Sequence, residues 1–308
     1  MARRIVAILN PISGRRNMLP MVKQVGQVLE RQGSTLDIRV TERAGHATAI
    51  AAELSADVDA VLVVGGDGAV GEVINGLVGR LVPVTIMRTG TENLLANEFG
   101  MPARPSAVAR TLLDGDTFDC DVGVLNDRHF IAVAGVGFDA ECMDRMARTR
   151  RGHITYGDYF WPTWRTFWGH RFPRLRVTAD DQCVFEGRGL ALIGVIGRYA
   201  AHLRVLCNAR HDDGLLDLCV LECSSRTRLV RHALRMLLRR HVGSNGVVYR
   251  QCRRINISSP DDALIEVDGE LGGRLPAKCS VLPRAVRFLR PPRTLGGYAA
   301  TPALRLQG

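Results

Sequence analysis

Residues 61–68 combine a buried strand, a glycine turn and the start of a helix. They read Val-Leu-Val-Val-Gly-Gly-Asp-Gly, and the four consecutive apolar residues predict a buried β-strand. Apolar residues then recur at helical spacing, at Val70, Val73, Ile74, Leu77 and Val78. Such a strand–turn–helix unit directs backbone N–H groups and the positive end of a helix at one point, where a phosphate group can bind.

The acidic residue inside this turn, Asp67, limits the kind of phosphate ligand that the turn could bind. A carboxylate next to a phosphate is repulsive unless a divalent cation lies between them, so Asp67 indicates a metal-bridged nucleotide. A tight structural turn is the alternative, because glycine turns alone are weak indicators of binding. The strand-to-helix context favours phosphate binding, with amides supplied by the turn of Gly65, Gly66 and Gly68.

The basic residues limit the class of phosphate-binding protein. The 308-residue chain has a net charge of +10, and Lys23 and Lys278 are its only lysines. A Walker A loop needs Gly-Lys-Ser/Thr and a protein kinase needs Val-Ala-Ile-Lys, so both classes are excluded. The positive charge suggests nucleic acid, a lipid surface or phosphorylated metabolites as partners, although an arginine-biased composition without a function would look the same.

The cysteines and the hydropathy pattern indicate the compartment. The eight cysteines form no Cys-x-x-Cys pair and no cluster with zinc spacing, which favours free thiols in a reducing cytoplasm. The apolar run at 5–9 is too short for a signal peptide, and no stretch approaches the ~18 apolar residues of a membrane span. We therefore expect a cytoplasmic protein that is soluble or attached to a membrane surface.

Residues 1–122 alternate strands and helices with short loops, which predicts a parallel sheet covered on both faces. The predicted strands are 5–9, 36–40, 61–64 and 84–87, and the predicted helices are 19–31, 47–54, 69–78 and one from about Asn93. Open α/β sheets bind ligands at the carboxyl ends of their strands. We expect the polar turns there to converge on one crevice; they are Asn10–Gly14, Thr41, Gly65–Gly68 and Thr89–Thr91.

Beyond residue 122, apolar and polar residues alternate between Gly, Asn and Asp turns, which predicts an antiparallel β-rich domain. The alternating stretches are 130–136, 190–196, 215–220, 247–257 and 263–267. A helix at 225–242 has Ser224 or Ser225 as N-cap and Gly243 as stop. A second helical region, 140–169, is basic and aromatic, and Pro162 breaks or kinks it.

These patterns divide the chain into three parts. We predict an α/β nucleotide-binding domain at 1–122 and a β-rich domain at 123–290. A short tail at 291–308 follows two prolines, and we expect it to pack back on the first domain.

Six short motifs follow one another along nearly the whole chain. They are Asn10-Pro-Ile-Ser-Gly14, Gly65-Gly-Asp-Gly68, Gly90-Thr-Glu-Asn93, Ala134-Gly-Val-Gly-Phe-Asp139, Asp212-Asp-Gly-Leu-Leu-Asp217 and Val267-Asp-Gly-Glu270. This ordered set resembles the diacylglycerol kinase catalytic domain and its superfamily, which includes sphingosine and ceramide kinases. The chain looks most like the bacterial soluble lipid kinases, which lack regulatory domains.

The resemblance implies a fold and a reaction. It implies ATP- and Mg²⁺-dependent phosphorylation of a lipid hydroxyl, of the diacylglycerol, sphingoid or phosphatidylglycerol type. It also implies a phosphofructokinase-like α/β nucleotide domain followed by an antiparallel β-sandwich domain for the lipid. In physical terms, phosphoryl transfer needs positioning and charge neutralisation more than covalent help from the protein.

The resemblance also implies roles for single residues. The residues that would contact ATP are Asn10, Thr41, Gly65, Gly66, Asp67, Gly68, Glu72 and Thr91. Asp67 would hold Mg²⁺, and Glu270 matches the general base that removes the proton from the lipid hydroxyl, with Asp67 as its rival. The Asp213 carboxylate and the main-chain carbonyls of Leu216 and Leu218 would form a second metal site.

Each of these residues also has a purely structural interpretation. Asp268-Gly269 is a preferred hairpin pair, so Glu270 could simply follow a surface turn. Asp213 could be a β-turn aspartate, and Thr41 and Thr91 could be ordinary threonines at strand ends.

The chain departs from the family pattern at two places. Leu94 replaces an acidic residue, while Glu92 appears shortly before it, and residues 197–202 replace a glycine-rich turn. A NAD kinase or a phosphofructokinase-like sugar kinase would share the Gly-Gly-Asp-Gly turn, but the motifs at 213–218 and 268–270 argue against both. A catalytically weak lipid-binding or regulatory protein is the third interpretation, and Leu94 would favour it.

Two basic segments predict how the protein reaches a lipid. Arginines recur along the helix at 225–242, at Arg228, Arg231, Arg235 and Arg239. Separately, arginines flank an aromatic stripe formed by Tyr156, Phe160, Trp164, Phe167 and Trp168. The apolar side chains could be core and the arginines a solvated face. We expect instead peripheral contact with an anionic membrane surface. Nucleic acid is not expected because no recognition motif accompanies the charge, and a homodimer is left open.

Overall fold

The computed structural model describes residues 2–14, 17–89, 93–149, 156–199 and 203–292. Helices and strands alternate in the first part of the chain, and strands dominate the second part. The helices are α1 (Leu19–Glu30), α2 (His46–Ala52), α3 (Asp67–Leu77), α4 (Leu94–Glu98), α5 (Pro105–Asp114), α6 (Phe138–Thr149), α7 (Tyr156–Gly169) and α8 (Arg226–Leu237). The strands of the first part are β1 (Arg4–Leu9), β2 (Thr35–Val40), β3 (Ala60–Gly65), β4 (Val84–Arg88) and β5 (Asp116–Leu125).

The remaining strands belong to the second part. They are β6 (Arg128–Phe130), β7 (Val133–Val136), β8 (Arg174–Ala179), β9 (Gln182–Gly194), β10 (Arg198–Tyr199), β11 (Leu203–Arg204), β12 (Leu216–Glu222), β13 (Val247–Cys252), β14 (Arg254–Ser258), β15 (Leu264–Val267), β16 (Glu270–Arg274) and β17 (Ala277–Arg290).

Strands β1 to β4 form a parallel sheet in the order β4-β3-β1-β2. Successive side chains of a strand point to opposite faces, and β1 shows the result. Ile5, Ala7 and Leu9 pack with α1 and α5 on one face. Val6 and Ile8 belong to the core that α2 and α3 cover on the other. Burial of both faces explains why β3 is apolar at nearly every position.

The second part is an antiparallel assembly. Its strands run in the order β16-β15-β7-β9-β8-β14-β17, and β12 and β13 continue from β9. The predicted fold class, a parallel α/β domain followed by an antiparallel β domain, is confirmed. The eight cysteines are all free, also as predicted.

Strand β17 connects the two parts. It pairs antiparallel with β14 and β5, and near its end Phe288 lies in parallel register with Val84 of β4. One cluster of buried side chains includes Val61 of β3 and Ile255 of β14. The parallel sheet and the antiparallel strands therefore share a continuous apolar core.

Two predicted strands are each interrupted at a point where a distant carboxylate accepts hydrogen bonds from the backbone N–H groups. The stretch 130–136 becomes β6 and β7 because Asp268 accepts hydrogen bonds from the N–H groups of residues 131–133. The stretch 247–257 becomes β13 and β14 because Asp180 accepts from the N–H groups of residues 253 and 254.

The helical predictions differ mainly at their ends. Ser225 is the N-cap of α8 and accepts from the Arg228 N–H, but the helix ends at Leu237, five residues before the predicted end. Arg239 has a left-handed backbone with φ of 53°, which the helix cannot continue. The region 140–169 holds two helices, and Pro162 lies inside α7. The tail beyond residue 292 is outside the described residues.

Candidate active site

The carboxyl ends of the parallel strands bring three predicted loops together. The Asn10 N–H donates to the Val64 carbonyl at 3.0 Å, and the Thr41 N–H donates to the Leu9 carbonyl at 2.9 Å. The loop after β1 also reaches the end of β4, because the hydroxyl oxygens of Ser13 and Thr89 are 2.9 Å apart. Asn10 and Thr41 thus lie along one edge, beside the glycine turn that follows β3.

The glycine turn presents the amino end of α3 to this edge. Gly66 is the N-cap residue, and among the described residues no side chain caps the helix. Gly65 has no room for a side chain, because a Cβ atom there would collide with the Ala69 methyl group. The close approach packs the first turn of α3 against the end of β3, and the first N–H groups of a helix have no partner within the helix. This is the geometry that binds an anion at a helix amino terminus.

Asp67 connects the beginnings of two helices. Its carboxylate accepts from the N–H groups of Leu94 and Leu95, at 3.0 and 3.2 Å, at the amino end of α4. Burial raises the pKa of Asp67, and the main-chain donors oppose that increase. At the departure, Leu94 contacts Asp67 through its main-chain N–H group and not through its side chain. The Leu94 side chain packs, partly buried, against the core.

Glu270 follows a two-residue hairpin turn. Asp268 and Gly269 have φ angles of 49° and 84°, and Val267 pairs with Glu270 across the turn. Both positive φ angles fit the Asp-Gly hairpin that the sequence predicts. The Glu270 side chain is 61% exposed and forms a 3.2 Å ion pair with Arg128. A Cβ atom on Gly68 would lie only 3.8 Å from Glu270 Oε1, so the carboxylate sits beside the glycine turn.

Asp268 anchors this hairpin to the β6–β7 connection. Its carboxylate accepts from the main-chain N–H groups of Ile131, Ala132 and Val133 at 2.9 to 3.0 Å. Burial raises the pKa of Asp268 to about 6, against the lowering effect of the three donors, and the nearby negative charge of Asp67 adds to the increase. Asp268 therefore holds the β15–β16 hairpin against the β6–β7 connection, and its carboxylate is occupied by main-chain donors.

A second group of acids lies behind the hairpin. Glu266 is 2% exposed and accepts from the Gly269 N–H at 2.8 Å. Asp139 of α6 is hydrogen-bonded to both Glu266 and Tyr199. Burial raises the pKa of Glu266 far above its ordinary range, and the neighbouring Asp139 raises it further. The pair therefore holds a proton to higher pH than separate carboxyl groups would, because ionising both would place two negative charges side by side in a buried site.

Two predicted ATP contacts need separate comment. One Glu72 oxygen accepts from the Ala47 N–H at 3.1 Å, and the Thr48 hydroxyl donates to the Glu72 carbonyl. Glu72 therefore supports the start of α2, and its contact with a nucleotide stays a prediction. Thr91 lies outside the described residues.

The predicted second metal site lies at the entrance to β12. One Asp213 oxygen accepts from the Leu215 N–H at 3.1 Å, while Leu216 and Leu218 are fully buried in β12. Burial raises the pKa of Asp213, and the negative charges of Asp121 and Asp212 contribute. Within the described ranges, no group of three or more His, Cys, Asp or Glu side chains is arranged to hold a metal ion. The site would therefore depend on main-chain oxygens.

Comparison with known proteins identifies the family. Residues 4–125 match the diacylglycerol kinase catalytic domain, and residues 132–290 match the YegS C-terminal NAD kinase beta sandwich-like domain. A diacylglycerol kinase of Mycobacterium tuberculosis is 30% identical over 295 residues, covering 94% of this chain and 95% of that protein. The chain belongs to the diacylglycerol kinase family.

Members of the diacylglycerol kinase family also share the fold. A crystal structure of a diacylglycerol kinase from Bacillus anthracis superposes with a TM-score of 0.75 at 22% identity, covering 94% of this chain and 97% of that one. A diacylglycerol kinase of Bacillus subtilis is 26% identical over 300 residues, covering 94% of this chain and 97% of that protein. The predicted family and the predicted lipid kinase activity are confirmed, and membership implies use of ATP.

Sequence reasoning missed several residues of this site. The amide-binding role of Asp268 and the acids behind the hairpin, Glu266 and Asp139, were not predicted. Asp268 stands before glycine in a turn pair, which is the only local signal. Glu266 lies inside an otherwise apolar strand, where burying a charged residue is costly unless the residue is paired. A glutamate at such a position could have been recognised from the sequence as a candidate site residue.

Proposed function

We propose that this lipid kinase transfers the γ-phosphate of ATP to the free hydroxyl of diacylglycerol. The observation that carries the proposal is the position of the Glu270 carboxylate beside Gly68, 202 positions away in the chain. An acceptor hydroxyl that reaches Glu270 would be next to phosphates bound at the amino end of α3. The activity named for the relatives from Mycobacterium tuberculosis and Bacillus subtilis supports diacylglycerol as the acceptor.

Glu270 suits the role of general base better than Asp67. Both oxygens of Asp67 already accept main-chain N–H groups, whereas Glu270 is largely exposed at the edge of the crevice. As the acceptor oxygen bonds to the γ-phosphorus, its proton passes to the Glu270 carboxylate, the bond from the γ-phosphorus to the bridging oxygen breaks, and ADP leaves. Arg128 would hold the carboxylate in place through their ion pair.

The acids of the site fit a divalent cation. Asp67 begins α3, so its carboxylate lies at the turn where phosphates would bind, and a cation there would balance its negative charge. Asp67 would hold Mg²⁺ through lone pairs that its two amide partners leave unused, and the bound ion would neutralise charge on the phosphate oxygens. A second ion would bind Asp213 with the carbonyls of Leu216 and Leu218.

Transfer of labelled phosphate tests the proposal directly. Diacylglycerol, sphingosine and phosphatidylglycerol are presented in neutral detergent micelles with ATP, with and without Mg²⁺, and NAD and a sugar phosphate are tested in parallel. We expect Mg²⁺-dependent formation of phosphatidic acid from diacylglycerol. Phosphorylation of NAD or a sugar phosphate, with no lipid product, would contradict the proposal.

A matched pair of substitutions tests the base. Glu270→Gln should lower kcat by about 10²- to 10⁴-fold while ATP binding is unchanged, because the base acts on the acceptor hydroxyl. Glu186→Gln is the control, since Glu186 is also an exposed carboxylate paired with an arginine, Arg176, at 3.5 Å. Loss of ATP affinity in Glu270→Gln would place Glu270 in the nucleotide site instead.

A further inference from the structure

Helix α8 carries an apolar stripe on the side that faces away from the protein. The stripe residues, between 44% and 64% exposed, are Val230, Leu234, Leu237 and Leu238. Their spacing places them on one face of the helix. His232, which is 3% exposed, marks the opposite face, where α8 meets the protein. Leu229 and Met236 pack, partly buried, against the core, so α8 has a core-facing apolar side as well as this exposed stripe, which the core does not cover.

Helix α7 exposes aromatic rings in the same way. The exposed aromatic residues, with exposed fractions between 48% and 64%, are Phe160, Trp161, Trp164 and Trp168. The Phe160 and Trp164 ring centroids are 6.3 Å apart, and those of Trp164 and Trp168 are 5.7 Å apart. These contacts make a continuous aromatic strip, and it contains all three tryptophans of the chain.

Arg226 joins the two helices at this surface. Its guanidinium donates to the main-chain carbonyls of Phe167, at 3.1 Å, and Trp168. It also lies over the Trp168 ring, 5.5 Å from the centroid. The Trp168 end of the aromatic strip therefore lies at the first turn of α8, one turn before Val230, and we call the strip and the apolar stripe together the α7–α8 surface.

Arginines border the α7–α8 surface on both helices, although α7 also carries the exposed Asp158 in its first turn. Residues 224–242 contain six arginines and no acidic residue. Arg231 is exposed next to the leucine stripe, and Arg165 and Arg171 are exposed on the side of the aromatic strip. An apolar patch bordered by arginines matches a layer whose outer groups are anionic and whose interior is hydrocarbon.

We propose that the α7–α8 surface docks the enzyme on an anionic lipid bilayer. The tryptophans would lie at the level of the headgroups, the leucines would enter the acyl boundary, and the arginines would contact lipid phosphates. A second copy of the chain suits this surface poorly, because its arginines would face arginines.

Helix α6 lies between the docking surface and the site. Helix α6 packs against α7 and also contacts β16, which begins with Glu270. The inference rests on the proposed function only in taking the acceptor to be a bilayer lipid.

Tryptophan fluorescence tests the docking without any turnover. Because all three tryptophans lie on the α7–α8 surface, their emission should shift to shorter wavelength when phosphatidylglycerol vesicles are added. Phosphatidylcholine vesicles should cause no shift, and raised salt should reverse the effect, since it screens the arginines. Co-sedimentation with the same vesicles measures the partition coefficient.

Two double variants separate the charged and the apolar contributions. Arg165→Glu with Arg231→Glu should lower partition onto phosphatidylglycerol vesicles by about tenfold or more. The control for this change is Arg104→Glu with Arg110→Glu, two exposed arginines at α5 that should leave partition unchanged. Leu234→Ser with Leu238→Ser should also weaken partition, whereas Leu81→Ser, an exposed leucine outside the surface, should not.

Activity on a short-chain diacylglycerol, without vesicles, separates this inference from the proposed function. All surface variants should phosphorylate this acceptor at the rate of the parent enzyme. Vesicle binding without phosphorylation of any lipid would overturn the proposed function and leave the docking surface standing. Equal binding to both vesicle types, unchanged partition in both surface variants, or a dimer that these substitutions dissociate would overturn the docking surface.

Discussion

At the scale of single residues, Asp67 has two partners that determine what its substitution would show. In Asp67→Asn, the remaining side-chain oxygen can accept from only one of the two main-chain N–H groups, and the NH₂ group faces the second N–H, to which it cannot bond. The substitution should therefore cost about 1 to 3 kcal/mol of stability. The rate should fall at least about 10²-fold, because a neutral side chain no longer holds a cation at the phosphates. Thermal melts and steady-state kinetics measure the two effects separately.

The control for this change is Asp37→Asn. Asp37 is an exposed aspartate on β2 that pairs with Arg39 at 3.0 Å, away from the glycine turn. Its substitution should leave both stability and rate near those of the parent protein. A near-normal rate in Asp67→Asn would instead mean that the Gly-Gly-Asp-Gly turn is structural.

Glu266 predicts how stability depends on pH. Its pKa in the folded protein lies well above its ordinary value of 4.5, so the folded state binds the proton more tightly than the unfolded chain. The stabilisation from the protonated form is complete below pH 4.5 and is lost as pH rises through the folded pKa. The melting temperature of the parent protein should therefore fall with rising pH across this interval.

Glu266→Gln should remove much of this pH dependence. Glutamine can accept from the Gly269 N–H and donate to Asp139, with no charge to bury. As pH rises from the unfolded to the folded pKa of Glu266, the stability of the Glu266→Gln variant relative to the parent protein should increase by up to about 1.4 kcal/mol per pH unit. Glu266→Ala is the comparison, since it leaves the Gly269 N–H without its acceptor and should be less stable at every pH. If the melting temperatures of Glu266→Gln and the parent protein changed with pH in the same way, Glu266 would not be the source of the pH dependence.

At the scale of elements, the Asp268-Gly269 turn positions Glu270. Gly269 has a φ of 84° with open space around its Cα atom, so alanine there would strain the backbone without a steric clash. Gly269→Ala should cost about 1 kcal/mol of stability and lower kcat, because the hairpin would shift the carboxylate. Gly33→Ala is a matched control in the turn after α1, with φ of 74° and equally open space. Equal kcat for the two variants would show that the turn does not position the base.

The elements also show what periodicity can and cannot predict. Strands β1 to β4 and helices α1 to α3 lie within a few residues of their predicted ends, because local apolar spacing determines them. The interruption between β6 and β7 was not predictable in this way, because it depends on Asp268, more than 130 residues further along the chain. The apolar stripe of α8 was equally consistent with burial and exposure, since spacing does not say which side faces the protein.

At the scale of the whole molecule, the motif order predicted the two parts but not how closely they are joined. The order of motifs places Gly68 in one half and Glu270 in the other, and only the folded chain brings them side by side. Strand β17 belongs to both parts, and the apolar core runs through both. The site at their junction therefore depends on the two parts folding as one unit.

This shared core predicts a single cooperative unfolding transition. Tryptophan fluorescence reports only α7, in the second part, whereas far-ultraviolet circular dichroism reports helices and strands of both. Because β17 and the core connect the parts, the two signals should melt at the same temperature. Phe288→Ala, at a fully buried position of β17 against Phe99 and Phe118, should cost about 3 to 5 kcal/mol and lower both transitions together. Two separated transitions, or a variant that lowers only one of them, would show that the parts unfold independently.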